Sequence, residues 1–111
     1  EEYREISYRI DRNLAASIFN EDIKEVGPQM YEVLLKPALE HCEKMNVPVY
    51  CGEYGVIELA TPEDTVAWLS DINKVFLKYN VGRSYWSYKK MDFGISDDRC
   101  SGIIDKLVQL L

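Results

Sequence analysis

Hydrophobic positions recur at helical spacing from about Pro28 to Met45, where Met30, Val33, Leu34, Ala38, Cys42 and Met45 fall close to one face. The pattern predicts a helix that Asn46 ends. Pro37 lies inside it and is expected to kink or split the helix, because proline lacks an N–H and clashes with the preceding turn. The pattern then changes. Val47-Pro48-Val49-Tyr50-Cys51-Gly52 is apolar without polar alternation and reads as a buried strand, of the kind found in parallel sheets covered on both faces. Pro48 belongs at its first position or on an edge.

Thr61-Pro62-Glu63-Asp64 is the clearest local signal. Thr61 is a helix N-cap, Pro62 suits the first helical position, and the two acids favour the positive end of the helix dipole. The helix is expected to run to about Tyr79 and to bury Val66, Leu69, Ile72, Phe76 and Tyr79. Asn80-Val81-Gly82 ends it, and Ser84-Tyr85-Trp86-Ser87-Tyr88 alternates small and aromatic residues as a strand does. A loop rich in Asp and Gly covers Met91 to Ser101. Ile103, Ile104, Leu107, Leu110 and Leu111 mark a last amphipathic helix. The stretch from Glu1 to Asp22 is the least patterned. Tyr3, Ile6, Tyr8 and Ile10 suit either an edge strand or an irregular loop, and Asn20-Glu21-Asp22 resembles the start of a helical region.

The resulting order is helix, strand, helix, strand, helix. A strand–helix–strand unit with so short a connection implies a parallel pair joined by a right-handed crossover, hence an α/β fold. Two parallel strands are not a complete architecture. Either the first segment adds a strand or the chain is a piece of something larger.

Composition narrows the function classes. The chain has 111 residues, 19 acidic against 13 basic side chains, and a net charge of −6. One domain fits that length. Eight Tyr, two Trp and three Phe supply enough to bury, which argues against disorder. Nucleic acid is not an expected partner, since no basic stripe is present to neutralise phosphates. No apolar run approaches the ~20 residues of a membrane span, so no membrane role is expected. Glu1-Glu2-Tyr3-Arg4 lacks the apolar region of a signal peptide. Cys42, Cys51 and Cys100 form no disulfide framework and no C-x-x-C pair; they read as small apolar fillers, with a single bridge open to an exported protein.

Candidate chemistry centres on Glu53, which follows the first strand in Val49-Tyr50-Cys51-Gly52-Glu53-Tyr54-Gly55. Reactive groups of α/β proteins stand at the carboxyl ends of strands. A carboxylate there can act as nucleophile or base, and on pattern alone it can equally be a solvated turn residue. Trp86 lies at the corresponding place on the second strand. Beside a carboxylate it is a natural plate for a sugar ring; by spacing alone it also fits core packing. Tyr85 and Tyr88 carry the same two readings. His41, mid-helix between Glu40 and Glu43, reads as a solvated surface residue, and one His without a partner cluster argues against a metal site or a Ser–His triad. Lys89-Lys90 reads as a solvated loop.

Asn46-Val47-Pro48-Val49-Tyr50-Cys51-Gly52-Glu53-Tyr54-Gly55 resembles the seventh-strand signature of glycoside hydrolase family 5, the cellulase-like family of clan A. Ser84-Tyr85-Trp86-Ser87-Tyr88-Lys89 followed by Phe93-Gly94-Ile95 resembles its eighth strand and loop. The intervening Thr61–Tyr79 helix and the earlier Leu34-Leu35-Lys36-Pro37-Ala38 fit the same pattern, so the resemblance covers roughly residues 31–97. It implies a (β/α)₈ barrel of which this chain is the last quarter or third: helix six, strand seven, helix seven, strand eight, helix eight. Residues 1–111 would then be one partial catalytic domain, with residues 1–22 a poorly defined loop or edge segment.

The resemblance further implies a retaining β-glycosidase acting on β-linked glucan, mannan or a shorter glucoside. Glu53 would be its nucleophile and Trp86 a wall of the cleft at the cleavage point. Tyr54 and Lys89 or Lys90 are candidates to reach neighbouring hydroxyls. No cofactor or metal is called for. Retaining hydrolysis needs two carboxyl groups roughly 5 Å apart, and the family's acid/base Glu, which follows an Asn on strand four, has no counterpart here. The chain alone is therefore expected to be inactive. Its strand edges are expected to pair with the remainder of the barrel or with copies of itself. Export to reach polysaccharide follows by family analogy only. The alternative is a non-catalytic small α/β module in which Trp86, Tyr85 and Tyr88 bind sugar or protein.

Overall fold

The computed structural model describes Ile23 and residues 25–111. The readings placed on residues 1–22 lie outside the described residues. Helix α1 spans Pro28–Met45, strand β1 Tyr50–Tyr54, helix α2 Pro62–Lys78, strand β2 Gly82–Tyr85 and helix α3 Ile104–Val108, with a single 3₁₀ turn at Asp98–Cys100. The order and the α/β class agree with the expectation from the sequence. Strands β1 and β2 are parallel, with Tyr50 opposite Gly82, Cys51 opposite Arg83 and Tyr54 opposite Tyr85. The register shifts between Cys51 and Tyr54.

Helix α2 is the spine of the core. Thr61 caps it, its Oγ1 accepting the Asp64 N–H at 3.1 Å, and Pro62 follows in the first turn. Leu69, Ile72, Val75 and Phe76 are buried along one face. That face collects Met30 and Tyr31 of α1, Val81, Ile95, Cys100 and Leu107 into one cluster, with Cys51, Tyr54, Trp68 and Tyr85 packed against it. Fully buried Thr65 is satisfied twice: its hydroxyl donates to the Thr61 carbonyl at 2.8 Å and accepts from Arg99 Nη1 at 2.7 Å. Helix α1 packs on α2 and α2 on α3.

Several expectations are corrected. Of the two outcomes expected at Pro37, the split does not occur: helix α1 is one element through it. Of its expected inward face, Met30 is buried while Leu34, Ala38 and Met45 are exposed, because no described element covers them. Asn46 does end it, in the left-handed conformation at φ 54°. The first strand begins at Tyr50 instead of Val47, and Val47 is half exposed, so it is no buried strand residue. The second strand stops at Tyr85, one residue before Trp86. Tyr79 is exposed beyond the end of α2. The last helix is shorter than its apolar pattern, since Ile103 has a non-helical backbone and Gln109 closes the turn. Cys42, Cys51 and Cys100 are all free thiols. Among the described residues no helix is long and apolar enough to cross a membrane.

Candidate active site

Glu53 is the last residue but one of β1, and it is exposed. Its neighbours explain why. Cys51 and Tyr54 both pack against the core, with the exposed pair Gly52 and Glu53 between them. Plain alternation would set residues 51 and 54 on opposite faces. The register shift inserts the additional residue, so that Glu53 is turned outward while the residue after it is turned in.

Tyr54 is therefore not beside Glu53. Its ring lies stacked 6.2 Å from Trp68, edge-on 5.1 Å from Phe76 and 5.5 Å from Tyr85. Burial pushes its phenol pKa up, against the opposing influence of the nearby Arg83 guanidinium. Tyr54 serves as a wedge between strand and helix. Tyr85 is held on the same inner side. Its hydroxyl accepts the Val56 N–H at 3.2 Å, and burial raises its pKa.

The outer face carries different residues. The Tyr50 and Ser84 hydroxyls hydrogen-bond across the two strands. Trp86 is 41% exposed, so of its two readings the core role is excluded. The backbone joins it to the end of β1: the Trp86 N–H donates to the Tyr54 carbonyl at 2.8 Å. Gly55 lies so close that a Cβ there would overlap the Trp86 carbonyl. The indole and the carboxylate thus arise from adjacent strand ends in fixed register. Lys89 is exposed in the loop that follows, and His41 is exposed on α1, as expected.

The loop after Trp86 is more highly organised than its sequence suggests. The Ser87 Oγ donates to the Lys90 carbonyl at 2.7 Å, the Ile95 N–H to the Ser87 carbonyl at 3.0 Å, and the Ser96 Oγ to the Tyr88 carbonyl at 2.6 Å. The Asp97 carboxylate accepts the Lys90 N–H at 3.1 and 3.2 Å. The Glu58 N–H donates to the Asp92 carbonyl, tying this loop to the one after β1. Beneath both, Arg99 Nη1 donates to the Ala60 carbonyl at 3.0 Å and to Thr65. Asp97 and Arg99 were not among the residues singled out by sequence. Their only signal was an Asp- and Gly-rich composition, which does not say which acid closes the loop.

No family model matches the chain. Endoglucanase C of Acetivibrio thermocellus is 40% identical over 77 residues, covering 69% of this chain and 22% of that protein, and endoglucanase C307 of Clostridium sp. gives the same figures. Cellodextrinase A of Ruminococcus flavefaciens is 41% identical over 59 residues, 53% of this chain and 18% of that protein. The chain thus spans about a fifth of the length of these curated relatives. Among solved structures, Thermotoga maritima Cel5A in complex with mannotriose superposes with a TM-score of 0.59 at 20% identity, over 87% of this chain and 31% of that one. The same enzyme with cellobiose gives 0.60 at 19% identity and the same coverage. The cellulose synthase subunit Z of Clostridioides difficile gives 0.53 at 22% identity, over 73% of this chain and 27% of that one. The likeness read in the strand-end motifs is therefore a real one: the chain is similar to part of cellulase-like glycoside hydrolases.

Proposed function

We propose that this chain is the C-terminal portion of a retaining, family 5-like β-glycoside hydrolase, with β1 and β2 as strands seven and eight of its barrel. The carrying observation is the exposed Glu53 at the C-terminal end of one parallel strand, with the exposed Trp86 registered beside it at the end of the next. The named activities of the similar proteins point to β-linked glucan or mannan as the substrate class.

In this reading Glu53 attacks the anomeric carbon of the bound sugar. A C–O bond forms to the carboxylate as the glycosidic bond breaks, and the leaving oxygen takes a proton from an acid outside this chain. Water, deprotonated by that same group, then displaces Glu53 and completes retention. Trp86 holds the sugar next to the broken bond, and Lys89 lies within the same loop to meet a hydroxyl. Tyr54 acts only by packing. The missing acid leaves the 111 residues without turnover of ordinary glucans, and the outer edges of β1 and β2, unpaired among the described residues, accept either the rest of the barrel or a second copy.

The test exploits a substrate that needs no acid. A 2-deoxy-2-fluoro-β-cellobioside with a dinitrophenolate leaving group should label the chain once, and mass spectrometry of peptides should place the label on Glu53. Glu53→Gln should remain unlabelled. A label elsewhere would remove Glu53 as nucleophile. Steady hydrolysis of plain β-glucan by the chain alone, lost in Glu53→Gln, would instead refute the absent acid.

A further inference from the structure

We infer that Arg99 is a positioning residue for the candidate site, tying the loop that follows Glu53 to helix α2. Its effect on Glu53 rests on the glycoside hydrolase reading above, whereas its hold on the loop rests on hydrogen bonds alone.

The first observation is how that loop is held. Residues 55–61 join the end of β1 to the start of α2. Alternate residues are bound by groups from β2 and the segment after it. The Val56 N–H donates to the Tyr85 hydroxyl at 3.2 Å, the Glu58 N–H to the Asp92 carbonyl at 2.6 Å, and Arg99 Nη1 to the Ala60 carbonyl at 3.0 Å. Within the loop the Ala60 N–H donates to the Ile57 carbonyl at 3.0 Å. The loop thus takes its shape largely from partners distant in the chain.

The second observation sets Arg99 apart from the other two ties. Its Nη1 donates again, to Thr65 Oγ1 at 2.7 Å, and Thr65 is fully buried in the first turn of α2. Its neighbour Cys100 is also without solvent contact. Both ends of the side chain are therefore anchored, one in the 3₁₀ turn at Asp98–Cys100 and the other on α2. The remaining donors are idle: Nε and Nη2 are buried without a hydrogen-bond partner. Among the described residues Arg99 forms no ion pair. A buried charge with idle donors costs stability, and an apolar side chain of similar shape is often no worse for a fold. What the guanidinium supplies is placement of the loop.

Placement matters here because the loop starts two residues after Glu53. Attack on carbon needs the carboxylate near contact distance, and a displacement of about 1 Å can cost about 100-fold in rate.

The test compares the 111-residue chain with Arg99→Met, which keeps an unbranched side chain and removes the donors. Amide hydrogen exchange, followed by NMR, should quicken about ten-fold at Val56 and Glu58 and stay unchanged at Leu69 and Phe76. The urea midpoint should stay within about 0.3 M of the parent. With the fluorinated cellobioside, the maximal rate of Glu53 labelling should fall about ten-fold, while the half-saturating concentration stays within about two-fold. Arg99→Lys, which offers three donors at one nitrogen, should recover most of both losses. Unchanged exchange at Glu58 overturns the inference, as does Arg99→Lys behaving like Arg99→Met. A midpoint lowered beyond that range, loss of folding included, also overturns it, because Arg99 would then serve the fold. If exchange quickens but Glu53 is labelled at the parent rate, the positioning role falls and the hydrolase reading stands. If the parent chain is not labelled at all and exchange still quickens in Arg99→Met, the hydrolase reading falls and the hold on the loop stands.

Discussion

At the scale of single residues, the candidate site is an outcome of one backbone irregularity. Glu53 was legible because it ends an apolar strand between two glycines. Tyr54 was not, because period-two reading cannot reveal a register shift, and the shift decides which of two neighbours faces outward. For Trp86, spacing likewise could not tell a core position from a surface one, and the structure leaves it 41% exposed. The close approach of the strands gives a direct prediction. Gly55→Ala would set a methyl group into the Trp86 carbonyl and against the Phe93 ring. It should destabilise the chain by about 1–3 kcal/mol, read as a lower urea midpoint, and should shift Trp86 emission. An unchanged midpoint would mean that the two strand ends are not held this close.

At the scale of elements, legibility followed the locality of the signal. The start of α2 was readable from four adjacent residues, since a cap is made within one turn. Thr61→Ala should accordingly cost about 1 kcal/mol in urea unfolding, with little change in the slope. Strand limits were less readable: Val47 and Val49 have strand-like side chains, but pairing starts only where β2 lies opposite, at Tyr50. The docking of α1 on α2 was not readable at all, because its polar clamp joins residues distant in sequence. Glu32 accepts from Lys78 Nζ at 2.9 and 3.0 Å and from the Tyr79 hydroxyl at 3.1 Å. The hydrogen bond from Lys78 chiefly lowers the Glu32 pKa, and that from Tyr79 adds to it. A carboxylate favoured in the folded state stabilises fully above the ordinary carboxylate range. The contribution fades as pH falls through the lowered folded value. Glu32→Gln should therefore unfold at a lower urea concentration than the parent chain near neutral pH and match it in acid, once the lowered Glu32 value has been passed. A difference persisting in acid would exclude the ionised clamp.

At the scale of the whole molecule, the described residues form a helix layer on a sheet of two strands. The core is narrow and centred on Phe76 and Leu69, both essentially without solvent contact. Phe76→Ala should cost about 3–5 kcal/mol, a large share of the ~5–15 kcal/mol of a typical domain, and should abolish the cooperative thermal transition. The parallel pair and α/β class were visible in the order of patterns. What sequence pattern could not show is which apolar faces would find cover: Leu34, Val47 and Met91 share the hydrophobic character of the core and remain outside it. If free strand edges recruit a second copy, the melting temperature of the chain should rise with protein concentration, and added NaCl should not abolish that rise. A concentration-independent transition would indicate edges that stay unpaired. The bond from Trp86 to the Tyr54 carbonyl has a wider consequence. Alignment between the indole's chain position and Glu53 is carried by the main chain, which every substitution of the side chain except proline leaves in place. The side chain at this point is thus free to drift over generations by exchange of one ring, while the neighbouring carboxylate keeps its station.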